Sequence, residues 1–254
     1  MKLALIVVVW DDYEILYHQI SHFIKNKLVD KIIVVYSEVS NFGERSEYTH
    51  RNIDGVEFIN FEPNITIAPS INERNKRNFG LNRVKQFRDI THFLMADSDE
   101  FYCADQFLKE KEKFFDNKLS GLVCASQVYF KSPTLTVGMD TTLVPFIHKL
   151  TQEIKFTWNT KYPFAFEGPK RSIRIDPTRQ YNINSGVEWS EIIMHHYSYV
   201  RRDLQKKIRN STARENIQNS TLVHDYMHAK EGEICQFYNK KLARCPNLFG
   251  LPEM

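Results

Sequence analysis

The stretch Phe93-Leu94-Met95-Ala96-Asp97-Ser98-Asp99-Glu100-Phe101 sets an apolar run directly against three carboxylates. Thr91 to Ala96 has the length and character of a buried parallel strand. Asp97, Asp99 and Glu100 then fall where that strand would leave its sheet. Open α/β sheets hold ligands just beyond the carboxyl ends of their strands. A hard divalent cation shared between one or two carboxylates and the oxygens of a diphosphate suits such an exit. Asp97 and Asp99 flank Ser98 and can approach one cation from neighbouring positions. The plainer alternative is an acidic loop capping a helix near Asp105; the strand context and the third acid favour the metal site. Carboxylates at a strand exit are expected to carry little packing.

Upstream of this stretch the chain alternates in the βαβ manner. Leu3 to Trp10 reads as a first strand, and Asp11 or Asp12 as the cap of a helix with Leu16, Ile20, Phe23 or Ile24, and Leu28 on its inner face. Lys31 to Tyr36 and Val56 to Phe61 read as the second and third strands. Ser70-Ile71-Asn72-Glu73 matches a capping box. It is expected to open a helix reaching about Arg88, with Leu81, Val84 and Phe87 turned inward.

Beyond residue 100 the pattern changes. Gly121 to Phe130, Glu153 to Trp158 and Arg171 to Ile175 read as strands of a mixed or antiparallel region. Glu188 to Tyr197 carries Met194-His195-His196-Tyr197, and a basic helix is expected from about Val200 to Asn216. No internal repeat and no Pro/Gly/Ser linker divides the chain.

The 254 residues suffice for one large α/β domain with a filled core. A net charge of +3 is too small to argue by itself for nucleic acid or a membrane surface. The basic residues are instead local: Arg201 to Arg214 holds six Lys and Arg against the single acid Asp203. The apolar N-terminal run stops at Asp11-Asp12 and lacks a small-residue cleavage site, so a buried strand is expected there rather than a signal peptide. No run approaches the length of a membrane span. The four cysteines show no metal-ligand spacing and suggest no disulfide scaffold, and the chain reads as cytoplasmic.

Neighbours in a strand face opposite sides, so only one of His195 and His196 can point into a site. The other is a core histidine. Arg74, Arg77, Asn78 and Arg83 are expected on a solvated helix face. Lys170-Arg171 and the run from Arg201 are read the same way, or as cations for a diphosphate that leaves as a charged group.

Three motifs in series, Arg77-Asn78-Phe79-Gly80-Leu81, His92 to Phe101, and Met194-His195-His196-Tyr197-Ser198-Tyr199-Val200-Arg201, resemble those of glycosyltransferases of the GT-A fold, particularly the family 2-like bacterial and viral group. The resemblance covers residues 1 to about 215. It implies an α/β, Rossmann-like, mixed and mostly parallel sheet flanked by helices in a single domain. Residues 1–102 would form the nucleotide-sugar half, 103–215 the acceptor-facing half, and 216–254 a helical extension. It further implies a UDP-sugar or other nucleotide-sugar donor, a Mn²⁺ or Mg²⁺ ion, and transfer of a hexosyl or pentosyl group. The acceptor would be a carbohydrate or other hydroxyl, a modified DNA base included.

By the same resemblance Asp97 and Asp99 bind the metal and the donor, and His195 or His196 completes the shell, His196 being preferred. Trp10, Asp11, Ser37 and Glu38 fall where the family holds the nucleoside. The match departs at Ser37-Glu38-Val39-Ser40, which lacks the usual aspartate and Gly-Ser. Arg77, Lys170, Arg171 and Arg201 are the expected donor-binding cations. A general base is sought among Glu167, Asp176, Glu188 and Glu191, with Glu167 preferred because it stands between an aromatic run and Gly168-Pro169.

Two readings of other classes compete. A Mg²⁺-dependent nucleotidyltransferase would normally bring a Gly-rich phosphate loop, and Val7 to Glu14 contains no glycine. A non-catalytic nucleic-acid binder would use the Arg201 to Arg214 segment, against a low overall charge.

Overall fold

The computed structural model describes residues 2–47, 49–116, 119–158, 162–163, 174–218 and 220–253. The first half holds β1 (Leu3–Val9), α1 (Tyr13–Lys25), β2 (Lys31–Tyr36), β3 (Val56–Asn60), α2 (Pro69–Val84) and β4 (His92–Asp97). β5 (Glu100–Tyr102), α3 (Ala104–Asp116), β6 (Gly121–Phe130), β7 (Ser132–Lys149), β8 (Arg174–Ile175) and β9 (Val187–Tyr199) follow. The C-terminal part holds α4 (Leu204–Arg209), α5 (Arg214–Gln218), α6 (Leu222–His228), β10 (Ile234–Cys235), β11 (Lys240–Lys241) and β12 (Ala243–Arg244).

One mixed sheet of order β3-β2-β1-β4-β7-β6-β9-β5 runs through the chain, with β8 and β12 paired to β7. β1 to β4 are parallel neighbours, β7 runs against β4 and β6, and β6 and β9 are parallel. The carboxyl ends of β1, β2, β4 and β9 therefore open on one edge. β1 is buried on both faces, as a central parallel strand must be. Leu3, Leu5 and Val7 pack with Leu16, Ile20 and Phe23 of α1 and Phe107 of α3. Ala4, Ile6 and Val8 pack with Leu81 and Val84 of α2. Helices thus cover both faces, the α/β architecture expected from the alternation. Among the described residues no helix is long and apolar enough to cross a membrane.

Several expectations change. α2 starts at Pro69 with Ala68 at its cap and no side-chain cap bond. Proline's fixed φ suits the first helical position, so the Ser70 capping box lies inside the helix, which ends at Val84 rather than near Arg88. Phe23, not Ile24, is the buried member of its pair. The long β7 was not foreseen, because its Pro, Gly and Asp residues break the apolar pattern. Glu153 to Trp158 is not a strand; only Phe156 bridges, to Tyr181. Of Arg171 to Ile175, the described part is the two-residue β8. The basic helix begins at Leu204, where Asp203 caps Lys206 N at 2.8 Å, and is split into α4 and α5 at Asn210, the C-cap of α4, whose Nδ2 donates to Lys206 O at 2.9 Å. After α6 the C-terminal segment is not helical: it forms the β10–β11 hairpin and returns β12 to the main sheet.

Candidate active site

β4 leaves the sheet at Asp97, turns through Ser98-Asp99, and comes back as β5 against β9, pairing Glu100 with His196 and Phe101 with His195. The turn is held from below by Gln19 of α1, fully buried, whose Nε2 donates to Asp97 O at 2.7 Å and to Glu100 O at 2.6 Å. Gln19 had no signal in the sequence beyond being a polar residue on a helix's apolar face.

The two aspartates keep different company. Asp97 accepts from Arg77 Nη1 at 2.9 Å and from Arg179 Nη2 at 2.5 Å. Arg179 also grips Glu100 through both terminal nitrogens, one at 2.7 Å. Arg77 and Arg179 are 1% and 2% exposed, so Arg77 is no solvated-face residue. Burial opposes ionisation of Asp97, yet Arg179 and Arg77 outweigh it and hold its pKa below the carboxylate range. Burial lifts Glu100 above its ordinary value even beside Arg179.

Arg77 reaches Asp97 because α2 lies close on the sheet. Gly80 is the contact: a Cβ there would stand 2.6 Å from Ile6 Cγ2 and from Val35 Cγ2. Asn78 fixes the neighbouring loop by exchanging two bonds with the Phe156 backbone, at 2.8 and 3.0 Å. The Arg77, Asn78 and Gly80 positions of the first motif thus each have a distinct structural task.

Asp99 is 2% exposed, which corrects the expectation of a lightly packed loop acid. Arg201 Nη2 donates to its Oδ2, and Arg201 Nη1 to Asp12 Oδ1. Lys207 Nζ stands 3.9 Å from the same Oδ2. Asp12 is at the N-cap position of α1, but its side chain serves Arg201 rather than the helix. Asp99 Oδ1 has no hydrogen-bond partner; His196 Nε2 is 3.6 Å away. Burial works against a charged Asp99, and Lys207, His196 and Arg201 together hold its pKa well below the usual value. Burial likewise opposes a charged His196, but Asp99 raises it.

Asp99, Glu100 and His196 offer ligand atoms within 4.8 Å of one another. Glu100 is committed to Arg179, so the open donors are Asp99 Oδ1 and His196 Nε2. A buried carboxylate oxygen without a partner beside an imidazole nitrogen fits a divalent cation. His195 faces the other way, with Nδ1 2.8 Å from the Tyr129 hydroxyl and Nε2 3.6 Å from Cys103 Sγ. Burial lowers its pKa to about 4.

In front of the acids lies a cleft of about 360 Å³ over the β1 and β2 exits. Trp10, Asp11, Ser37, Arg77, Asp97, Asp99 and Arg201 line it, as expected, and so do Lys206 and Lys207 of the basic run from Arg201 and Lys76, which sequence reasoning passed over. Asp11, at φ 64°, accepts from Ser46 Oγ at 2.8 Å and pairs with Lys206 at 2.5 Å. Glu38 is exposed and does not line the cleft, although its neighbours Ser37 and Val39 do. Glu188 and Glu191 are exposed near the start of β9, whereas His196 sits near its end. At about 3.3 Å per residue they stand roughly 16 Å or more from it. Asp176 caps Thr178 N at 2.8 Å and pairs with Arg179 Nε at 3.1 Å, so its carboxylate is spoken for. Glu167, Lys170 and Arg171 lie outside the described residues.

No family model matches the sequence, and no curated protein matches it. Among solved structures the chain is similar to S. aureus TarS 1–349, at 15% identity and a TM-score of 0.48, over 87% of this chain and 67% of that one. TarS 1–349 in complex with UDP-GlcNAc matches at 17% identity and a TM-score of 0.30, over 51% of this chain and 34% of that one. A197 from STIV matches at 14% identity and 0.28, over 52% and 48%. Identity at this level leaves the site to be read from its own side chains.

Proposed function

We propose that the protein is a metal-dependent glycosyltransferase of the GT-A type, moving a sugar from a UDP-sugar to a hydroxyl acceptor on a glycan or a modified base. The observation that carries this reading is the pairing of an unpartnered, buried Asp99 Oδ1 with His196 Nε2 at the edge of a cleft over the β1 and β2 exits. Mn²⁺ or Mg²⁺ held there would supply Lewis-acid neutralisation of the departing diphosphate. The motif resemblance supports the nucleotide-sugar class of donor.

In this reading Asp99 and His196 are the metal ligands. Asp97, oriented by Arg77 and Arg179, faces the donor ribose. Lys207 and Arg201 neutralise the diphosphate, with Lys170 and Arg171 as further candidates. Glu167 is the proposed general base, since the other acids considered are committed or distant. The nucleotidyltransferase alternative lacks a glycine in the Val7 to Glu14 segment, where a phosphate-cradling loop would lie.

The test is hydrolysis and transfer from a panel of UDP-sugars with and without Mn²⁺. Metal-stimulated release of UDP supports the proposal; nucleotidyl products, or no turnover of any nucleotide sugar, would reject it.

A further inference from the structure

The motif resemblance ends near residue 215. None of the described residues of the extension beyond it, α6 with the β10–β11 hairpin and β12, lines the cleft. The extension stands behind one wall of it instead. α4 has six residues, too few to persist as a helix on their own in water. Its Leu204 and Ile208, four apart on one face, are buried in a cluster with Leu222 of α6, Ala229, Cys235 and Leu242. Lys206 and Lys207 of the same short helix line the cleft. The extension is thus the apolar bed of a helix that turns its charges toward the site.

A hydrogen bond joins this bed to the site itself. Tyr226 of α6 donates its hydroxyl to Arg201 O at 2.6 Å. Arg201 is the second residue after β9 and the third before α4. Holding its carbonyl therefore fixes the point from which α4 departs. It also fixes the root of the side chain that bridges Asp12 and Asp99. Lys207, carried by α4, stands 3.9 Å from Asp99 Oδ2 and makes no hydrogen bond among the described residues, so its ammonium is left to an entering anion. Tyr226 is held in turn. Its ring meets Phe130 at 5.9 Å, and the neighbouring Asp225, buried, accepts from Thr221 Oγ1 at 2.9 Å and from Phe237 N at 2.7 Å. Those bonds tie α6 to the β10–β11 hairpin, and β12 ties the extension to β7.

We propose that Tyr226 is a positioning residue, through which the C-terminal extension holds Arg201 and Lys207 in place for the diphosphate of a bound nucleotide. This rests on the nucleotide-sugar reading of the same cleft. Tyr226 touches no ligand; it acts through the Arg201 carbonyl. Small displacements of charged groups about a phosphate are expensive, and a shift of about 1 Å far from the chemistry can lower a rate about 10²-fold.

The test is calorimetric binding of inorganic pyrophosphate, with Mn²⁺ present, to the parent and to Tyr226→Phe, which keeps the ring and removes the hydroxyl. The parent is expected to bind it, and the variant about 10-fold more weakly. A merely structural role would shrink the fraction of protein that binds, read as stoichiometry, and leave the affinity alone. Thr221→Val removes a hydrogen bond inside the extension, the one to Asp225, and should keep the parent's affinity. In a Lys207→Met background Tyr226→Phe should weaken binding less than it does in the parent, because the two residues serve one contact. Parental affinity in Tyr226→Phe, an equal loss in Thr221→Val, simple addition of the Tyr226 and Lys207 losses, or a parent that binds no pyrophosphate would each overturn the assignment. Should the expected pattern appear while no nucleotide sugar is turned over, the transferase reading is rejected and the role of Tyr226 stands.

Discussion

His196 Nε2 stands 3.6 Å from Asp99 Oδ1, and that buried oxygen accepts no hydrogen bond. The two residues come from different strands, brought together because β5 turns back to pair with the end of β9. If a cation completes this pair, His196→Ala should weaken Mn²⁺ binding by about 10- to 100-fold. Asp99→Asn should abolish it. Titration of free Mn²⁺ by electron paramagnetic resonance measures both, and parental affinity in either variant would remove that residue from the metal shell. Asp99→Ala carries a second expectation. It takes away a buried partner of Arg201, so the melting curve should show a loss of about 3–5 kcal/mol in addition to the functional defect.

Arg179 joins the acid turn to the chain segment that follows β8. Its guanidinium spans Asp97 and Glu100, and its Nε faces Asp176. Arg179→Met would leave the fully buried Glu100 without a guanidinium and the half-buried Asp97 with that of Arg77 alone. The expected loss is about 3–5 kcal/mol, measured by urea unfolding at neutral pH. Lowering the pH toward 4 should narrow the gap, because protonated carboxyls no longer need the cation. A variant as stable as the parent would show that solvent reaches and relieves this network.

The strand that delivers Asp97 and Asp99 was legible because a buried parallel strand must be a continuous apolar run, and the acids that end it stand out. The first motif was legible in outline only. Its Gly80 could be quoted, but that the glycine lets α2 approach Ile6 and Val35 is a fact of packing. The solvated-face reading of Arg77 fails because Asp97, on a different element, draws it inward; only its i,i+4 partner Glu73 is local in the sequence. Arg179 and Gln19 gave no signal at all. Each acts through partners about 80 residues away, and such pairings have no local pattern.

Gly80 gives a prediction about that close approach. Alanine is the better helix former, by about 1 kcal/mol. Its Cβ, however, would press at 2.6 Å on methyls of Ile6 and Val35, β-branched side chains with little freedom to turn aside. Overpacking of this kind costs about 1–3 kcal/mol, so Gly80→Ala should be destabilising on balance. Any shift of α2 outward also carries Arg77 away from Asp97. Thermal melting measures the first effect, and weaker nucleotide binding by the folded variant the second. A variant that melts higher than the parent would mean the helix moves freely on the sheet.

Three buried histidines should make stability depend on pH. His92, His148 and His195 are 6%, 0% and 5% exposed, and burial lowers their pKa values to about 4, about 3 and about 4. In the unfolded chain each titrates near 6.5. Below 6.5 the unfolded state therefore binds more protons than the folded one, and stability falls as pH falls toward the folded values. At pH 5 the loss amounts to roughly 2 kcal/mol per histidine. Asp12 and Glu100, which burial holds above their ordinary values, act in the opposite sense over part of this range, so a single variant isolates the effect better than the whole curve. His148 lies over Gly121 and beside Tyr181, with Nε2 2.9 Å from the Tyr162 hydroxyl. His148→Gln offers a neutral group to that hydroxyl and cannot titrate. Its stability at pH 7 should be lower than the parent's, but the drop between pH 7 and pH 5 should be smaller than the parent's by roughly 2 kcal/mol. Chemical denaturation at the two pH values measures this difference, and parallel pH dependence in the two proteins would show that His148 accepts its proton in the folded state as readily as in the unfolded one.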